Sequence, residues 1–296
     1  MCLGGARSRR PASRSQHGQT LGASRRTRYR PASVSDRNPT RRHCRHPGSL
    51  TTARPGGNFV SHPPRQYPCP DLIVEPAWLA AHLGDTDLLI IDCDDADVRA
   101  VRPHIPGAVP LPIHPYLRDI HTNVGVLPPD QATMILGGLG VGDGRRVVCY
   151  DSQGGVLAAR CWWVLWYYGF ENAALLNGGW ISWAAEGNPV EHAWGEPVAG
   201  DFVAQPVGDR IADCDVILPR LGNDDFATLD MRTDLEWAGT PETVRNQREG
   251  YIPGAVHLEW KHFVDWEASA RFKPALEIAT LLELNGITRG KAVVPY

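Results

Sequence analysis

The sequence predicts an α/β protein whose mainly parallel sheets are covered by helices. From residue 71 onward, short apolar runs of strand length alternate with longer stretches of helical period, the pattern of parallel strands buried between helices. Several of these segments recur about 146 positions later, so the same arrangement is predicted twice. The apolar fraction of 43% is sufficient for real hydrophobic cores.

The first half of the ordered region has a clear sequence of elements. The pattern of residues from Glu75 to Leu83 predicts a helix with Pro76 in its first turn. The run from Asp87 to Asp92 predicts a buried strand whose last residue is acidic. The elements expected after these are a turn at His104–Val109, a helix over Pro129–Leu139, a strand over Arg146–Tyr150, a long apolar helix over Val156–Tyr168, a strand over Ala173–Leu176 and a helix within Asn177–Val190.

The second half repeats the first but covers less of it. Residues 140–150 align without gaps to residues 286–296, and the acid at the end of a strand, Asp92, recurs as Asp230. We therefore expect a domain at residues 71–193, a linker at 194–208 and a second, incomplete domain at 209–296. In this alignment Tyr296 matches Tyr150, so the residue that would match Asp151 is expected immediately beyond Tyr296.

Residues 1–70 differ from the rest in charge and composition. They contain 14 arginines and one acidic residue, a balance of +13, whereas residues 71–296 carry −16. Many prolines, glycines and serines without helical or strand period predict a disordered leader. A transit peptide, a nucleic-acid tail and a coding start placed too far upstream are the alternatives, but neither a nucleic-acid partner nor a membrane is expected for the folded part. The expected location is cytoplasmic, or an organelle if the leader is a transit peptide.

The stretch from Val147 to Arg160, VVCYDSQGGVLAAR, predicts a strand, a loop of small residues and the start of a helix. Backbone N–H groups and the helix dipole there favour an anion or an anionic nucleophile. The first loop residue is Asp151, which carries its own negative charge and is expected to cap the following helix. Cys149 is expected to pack inside the strand. The seven cysteines include no CxxC pair, so neither a disulfide framework nor a metal site is predicted.

Four motifs occur in a characteristic order, and two of them occur twice. They are a strand ending in acid (Asp92; Asp230 with Arg232), the turn HIPGA (His104–Ala108) with its repeat YIPGA (Tyr251–Ala255), YDSQGG followed by AARCWW (Tyr150–Trp163), and NGGWISW (Asn177–Trp183). In these residues the chain resembles the tandem-domain rhodanese family of thiosulfate and 3-mercaptopyruvate sulfurtransferases. The resemblance covers residues 71–296.

The resemblance implies transfer of sulfane sulfur from a small anionic donor to a thiophile acceptor through a cysteine persulfide, without a metal or organic cofactor. It also implies that the first domain is non-catalytic and that the second domain's loop begins with the catalytic cysteine. Asp151 occupies the equivalent position in the first domain, so no catalytic residue is assigned and this fragment is expected to be inactive. Arg232, Arg245 and Arg248 are the candidates for substrate binding. Ile181 stands where some relatives have an arginine that grips the substrate anion.

Two other classes of protein remain as alternatives. An aspartyl phosphatase would use Asp92 as nucleophile and Asp94 as acid and base, but Ala96 stands where that motif has Thr or Val. A catalytically dead rhodanese-like protein that serves as a binding scaffold is the other alternative. A cysteine phosphatase is not supported, because the sequence has no HCxxxxxR loop.

Overall fold

The computed structural model describes residues 67–122, 125–142, 144–239 and 250–296. The predicted leader lies outside the described residues except for its last four positions. Two of the candidate substrate-binding residues, Arg245 and Arg248, also lie outside them. Within the described ranges, no helix is long and apolar enough to cross a membrane.

A five-stranded sheet forms the centre of the first half. Its strands are β1 (Ile73–Val74), β2 (Leu88–Asp92), β3 (Ala108–Pro110), β4 (Arg146–Tyr150) and β5 (Ala173–Leu176). They lie in the order β1-β5-β4-β2-β3, and every pair is parallel. The prediction of an α/β fold with a mainly parallel sheet is confirmed.

Helices cover both faces of this sheet, as its residue pattern requires. The helices are α1 (Pro76–Ala81), α2 (Ala96–Ala100), α3 (Pro129–Gly138), α4 (Val156–Tyr167) and α5 (Gly179–Ala185). In β4, Val147 and Cys149 pack in the core that contains α3 and α4, while Val148 and Tyr150 pack with residues of α1 and α5. Successive strand residues point to opposite faces, so both faces of β4 are apolar and buried.

The second half has a smaller parallel sheet of three strands. The elements are α6 (Cys214–Ile217), β6 (Phe226–Asp230), α7 (Asp234–Ala238), β7 (Val256–His257), β8 (Val264–Asp265), β9 (Arg271–Phe272), α8 (Ala275–Leu284) and β10 (Ala292–Pro295). The sheet order β10-β6-β7 corresponds, strand for strand, to β4-β2-β3 of the first sheet. Strands β8 and β9 form a separate antiparallel hairpin.

Each of the two sheets has a tyrosine that accepts an equivalent hydrogen bond from its own IPGA turn. The hydroxyl of Tyr150 accepts the Ile105 N–H at 3.4 Å, and the hydroxyl of Tyr296 accepts the Ile252 N–H at 3.2 Å. Tyr150 at the end of β4 and Tyr296 directly after β10 therefore contact the IPGA turns of their own halves in the same way. This agreement extends the repeat seen in the sequence to the local geometry.

The elements that the sequence did not predict are short. They include β1, α2 and the hairpin strands β8 and β9, each of two to five residues. The expected turn at His104–Val109 also leads directly into β3, which pairs with β2. Segments this short have too few residues to show a period, and their pairing is decided by neighbouring elements.

Candidate functional site

The loop between β4 and α4 is filled by the side chain of its own first residue. One carboxylate oxygen of Asp151 accepts the N–H groups of Gln153 and Gly155, both at 2.8 Å. The other accepts those of Leu157 at 2.8 Å and Ala158 at 2.9 Å. The carboxylate thus occupies the position that the converging N–H groups would offer to an anion.

Asp151 is fully buried, and two effects act on its ionisation. Burial raises the pKa of Asp151, while the backbone N–H donors lower it in part. Leu157 and Ala158 belong to the first turn of α4, so their bonds to Asp151 satisfy N–H groups that lack partners within the helix. The side chain therefore caps the helix as the sequence predicted, although the residue at the N-cap position itself is Gly155.

Aromatic side chains from the second half lie over this loop. A Cβ atom placed on Gly154 would come within 2.7 Å of the Trp266 ring and 3.3 Å of the Trp260 ring. One placed on Gly155 would lie 3.5 Å from the Phe272 ring. The segment that contains the β8–β9 hairpin therefore covers the loop, and small residues in the loop permit this close contact.

The turn Asn177-Gly178-Gly179 supports the loop from the other side. The N–H of Trp180 donates to the backbone carbonyl of Asp151 at 2.8 Å. A Cβ on Gly179, where φ is +52°, would lie 2.2 Å from that same carbonyl oxygen. The glycine is required because α5 begins in contact with the backbone of the loop.

We expect Gly179→Ala to lower the free energy of unfolding by about 3 kcal/mol, since it combines a left-handed backbone with a backbone clash. Gly187→Ala is the matched control, because Gly187 also has a positive φ of +67° but has nothing within 4 Å of its Cβ position. The control should lose about 1 kcal/mol in urea unfolding. Equal losses would contradict the close contact between α5 and the loop.

Asp92 and Asp94 are both buried and engaged in structural contacts. Asp92 accepts a hydrogen bond from the Tyr150 hydroxyl at 2.5 Å and pairs with Arg102 at 2.8 Å. Asp94 pairs with Arg102 at 2.6 Å and accepts the Ser152 N–H at 3.0 Å. Burial acts to lower the pKa of Arg102, but the carboxylates outweigh it and the pKa is raised. Neither aspartate presents the free nucleophile that the phosphatase alternative needs.

The other predicted positions have structural partners. Arg232 pairs with Asp230 at 2.6 Å and donates to the carbonyl of Gly250 at 3.1 Å. His104 is buried and stacks on Trp194 with ring centroids 3.7 Å apart. Arg232 is thus held at the end of β6, and its role as a substrate ligand stays a prediction, as do those of Arg245 and Arg248.

Four cysteines of the described residues are free, and three of them converge. Cys93, Cys149 and Cys161 are buried, and their sulfur atoms all lie within 4.8 Å of one another. Cys214 is exposed at the start of the four-residue helix α6, where Asp213 accepts the Val216 N–H at 3.1 Å. Cys69 is disulfide-bonded, a pairing that the cysteine spacing did not predict. The convergence was missed because the three residues are far apart in sequence.

Comparison with known proteins shows a consistent relationship. Residues 75–186 match the family model of the rhodanese-like domain. The thiosulfate sulfurtransferase of Azotobacter vinelandii is 34% identical over 232 residues, covering 76% of this chain and 82% of that protein. A probable 3-mercaptopyruvate sulfurtransferase of Pseudomonas aeruginosa is 33% identical over 193 residues, covering 60% and 66%.

The fold is also found among solved structures. SseA of Escherichia coli, described as a 3-mercaptopyruvate sulfotransferase with the rhodanese fold, superposes with a TM-score of 0.66 at 23% identity. The match covers 76% of this chain and 87% of that chain. At this identity the likeness concerns the fold.

Proposed function

Because this chain belongs to the rhodanese family, we propose that its function is that of a thiosulfate or 3-mercaptopyruvate sulfurtransferase. In this chemistry a cysteine thiolate takes a sulfur atom from a small anionic donor, thiosulfate leaving as sulfite or 3-mercaptopyruvate as pyruvate, and the resulting persulfide passes that sulfur to a thiophile such as cyanide or a thiol. The names of the two relatives, at 34% and 33% identity, support this class of reaction.

Two rhodanese-like domains, at residues 71–193 and 209–296, are part of the proposal. The matching strand orders β4-β2-β3 and β10-β6-β7 support it. So do the equivalent hydrogen bonds from the IPGA turns to Tyr150 and Tyr296. The first domain supplies the rhodanese-like loop after β4.

We further propose that the 296-residue chain does not turn over sulfur by itself. The observation that carries this is Asp151, whose carboxylate cannot accept a sulfane sulfur and already holds the four N–H groups of its loop. Its charge would also repel an anionic donor. Among the described free cysteines, only Cys214 is exposed, and Asp213 caps the short helix on which it lies. Neither the loop that begins with Asp151 nor the surroundings of Cys214 therefore has an accessible thiolate held by inward-pointing N–H groups.

The test is a sulfurtransferase assay of the purified chain with thiosulfate and cyanide, repeated with 3-mercaptopyruvate and a thiol. We expect rates equal to those of the heat-denatured chain in both assays. The same assays on the thiosulfate sulfurtransferase of Azotobacter vinelandii provide the positive control. Turnover clearly above the denatured control would refute the proposed inactivity and support the family reaction in this chain.

A catalytically dead binding scaffold is the second candidate function. The covered loop favours it, since Trp260, Trp266 and Phe272 lie against the glycines that would otherwise border an open site. A direct measurement tests the family reaction: [³⁵S]thiosulfate labelled on its outer sulfur would leave a stable protein persulfide on an active sulfurtransferase. A scaffold, like the inactive chain proposed above, would remain unlabelled, so a labelled chain would exclude the scaffold.

A further inference from the structure

Three buried sulfur atoms meet between β2, β4 and α4. Cys93 follows β2, Cys149 lies in β4, and Cys161 faces them from α4. All three side chains are fully buried within the larger hydrophobic core of the first half. Their sulfur atoms lie within 4.8 Å of one another, although 68 residues of sequence separate the first from the last. The proposed sulfurtransferase function uses none of them.

The separation of the sulfur atoms is close to that required around a single metal ion. Three sulfurs bound at about 2.3 Å in a plane around one ion lie about 4 Å apart. Only small movements of the side chains would bring the described positions to this geometry. A disulfide would instead require two of the sulfurs to approach to about 2.05 Å.

We infer that Cys93, Cys149 and Cys161 form a binding site for one Cu⁺ ion. The donor set consists of sulfur alone, which selects soft ions such as Cu⁺ over Mg²⁺, Ca²⁺ or Mn²⁺. Structural zinc takes four ligands, and the described residues place three ligand atoms in this group. The nearby Asp151 is not a fourth ligand, because both of its oxygens accept two backbone N–H groups.

Thiolates rather than thiols bind Cu⁺, so the three cysteines lose their protons to solvent when the ion enters. The copper stays in the +1 state. Three thiolates and one Cu⁺ carry a net charge of −2, so the cation offsets part of the cost of burying the thiolate charge.

The experiment uses the full chain, loaded anaerobically with Cu⁺ from its bicinchoninate complex in the presence of ascorbate. Copper retained per chain is then measured for the wild type, Cys161→Ala, Cys93→Ala and the exposed-cysteine control Cys214→Ala. We expect each cluster variant to retain one equivalent less than the wild type, and the control to retain the same amount. X-ray absorption of the wild type should show a shell of sulfur at about 2.3 Å.

Competition with bicinchoninate gives the affinity of the site. Because loss of an outer-shell partner already costs about 10-fold to 100-fold in metal affinity, loss of a ligand should cost about 100-fold or more. Cu⁺ should also raise the unfolding midpoint of the wild type and of Cys214→Ala, but not that of the cluster variants. If Cys161→Ala does not fold, copper retention by Cys93→Ala and the X-ray absorption spectrum of the wild type test the copper site.

Equal copper retention by the wild type and the folded cluster variants would overturn the inference. Nitrogen or oxygen ligands in the absorption spectrum of the wild-type protein would overturn it as well. Neither outcome bears on the sulfurtransferase proposal, whose assays contain no copper. Failure of the copper-site proposal can therefore be distinguished from failure of the sulfurtransferase proposal.

Discussion

Replacing Asp151 with alanine should lower the free energy of unfolding by about 3 kcal/mol. The variant removes the acceptors of four backbone N–H groups, at Gln153, Gly155, Leu157 and Ala158. Buried donors without partners are costly, and the first turn of α4 loses its cap. Urea unfolding followed by circular dichroism measures the loss.

A small carboxylate should restore part of this stability. Formate matches the deleted group in size and charge, so it should raise the unfolding midpoint of Asp151→Ala more than chloride does at the same ionic strength. The wild type, whose loop is already filled, should respond equally to both salts. Asp151→Asn keeps one acceptor oxygen and should lose less than the alanine variant. Equal stability of the wild type and Asp151→Ala would contradict the structural role of the carboxylate.

Replacing Arg271 with methionine should destabilise the contact between the β8–β9 hairpin and the first half by about 2 kcal/mol. Arg271 is buried, donates to the Ser182 hydroxyl at 2.9 Å and pairs with Glu186. Methionine retains much of the apolar stem but leaves the buried Ser182 oxygen without this donor. The effect is below that of a fully buried ion pair, because the side chain of Glu186 is 36% exposed.

Hydrogen exchange locates the effect of this substitution. The N–H of Phe272 donates to the Asn177 side chain at 2.8 Å, so its exchange should accelerate if the hairpin separates from the first half. Arg289→Met makes the same chemical change at an exposed position and should alter stability by less than about 0.5 kcal/mol. Unchanged exchange at Phe272 in Arg271→Met would show that the guanidinium does not hold the hairpin.

The long elements of the first half could be predicted from the sequence because each is buried in a simple way. The strand at Arg146–Tyr150 was predicted with its observed bounds, since an apolar run of this length is too short for a typical helix and fits a strand buried on both faces. The capping position of Asp151 was also predicted, because a carboxylate before a helix has few better partners than free N–H groups.

The features that could not be predicted depend on contacts between distant residues. Strands β8 and β9 contain two residues each, and Asn177 and Ser182 of the first half hold β9 by hydrogen bonds. The convergence of Cys149 with Cys161 follows from α4 crossing back over β4, which spacing along the chain does not reveal. Both features require the tertiary arrangement before they can be recognised.

The carboxylate of Asp151 has a further consequence for any small anion that reaches the loop. A covalently attached ligand in a fixed orientation acts at an effective concentration far above that of a dissolved competitor. Thiosulfate would have to displace a group that cannot diffuse away. The loop after β4 is therefore already filled by a carboxylate of the chain itself. Raising the donor concentration in an assay should not displace this carboxylate.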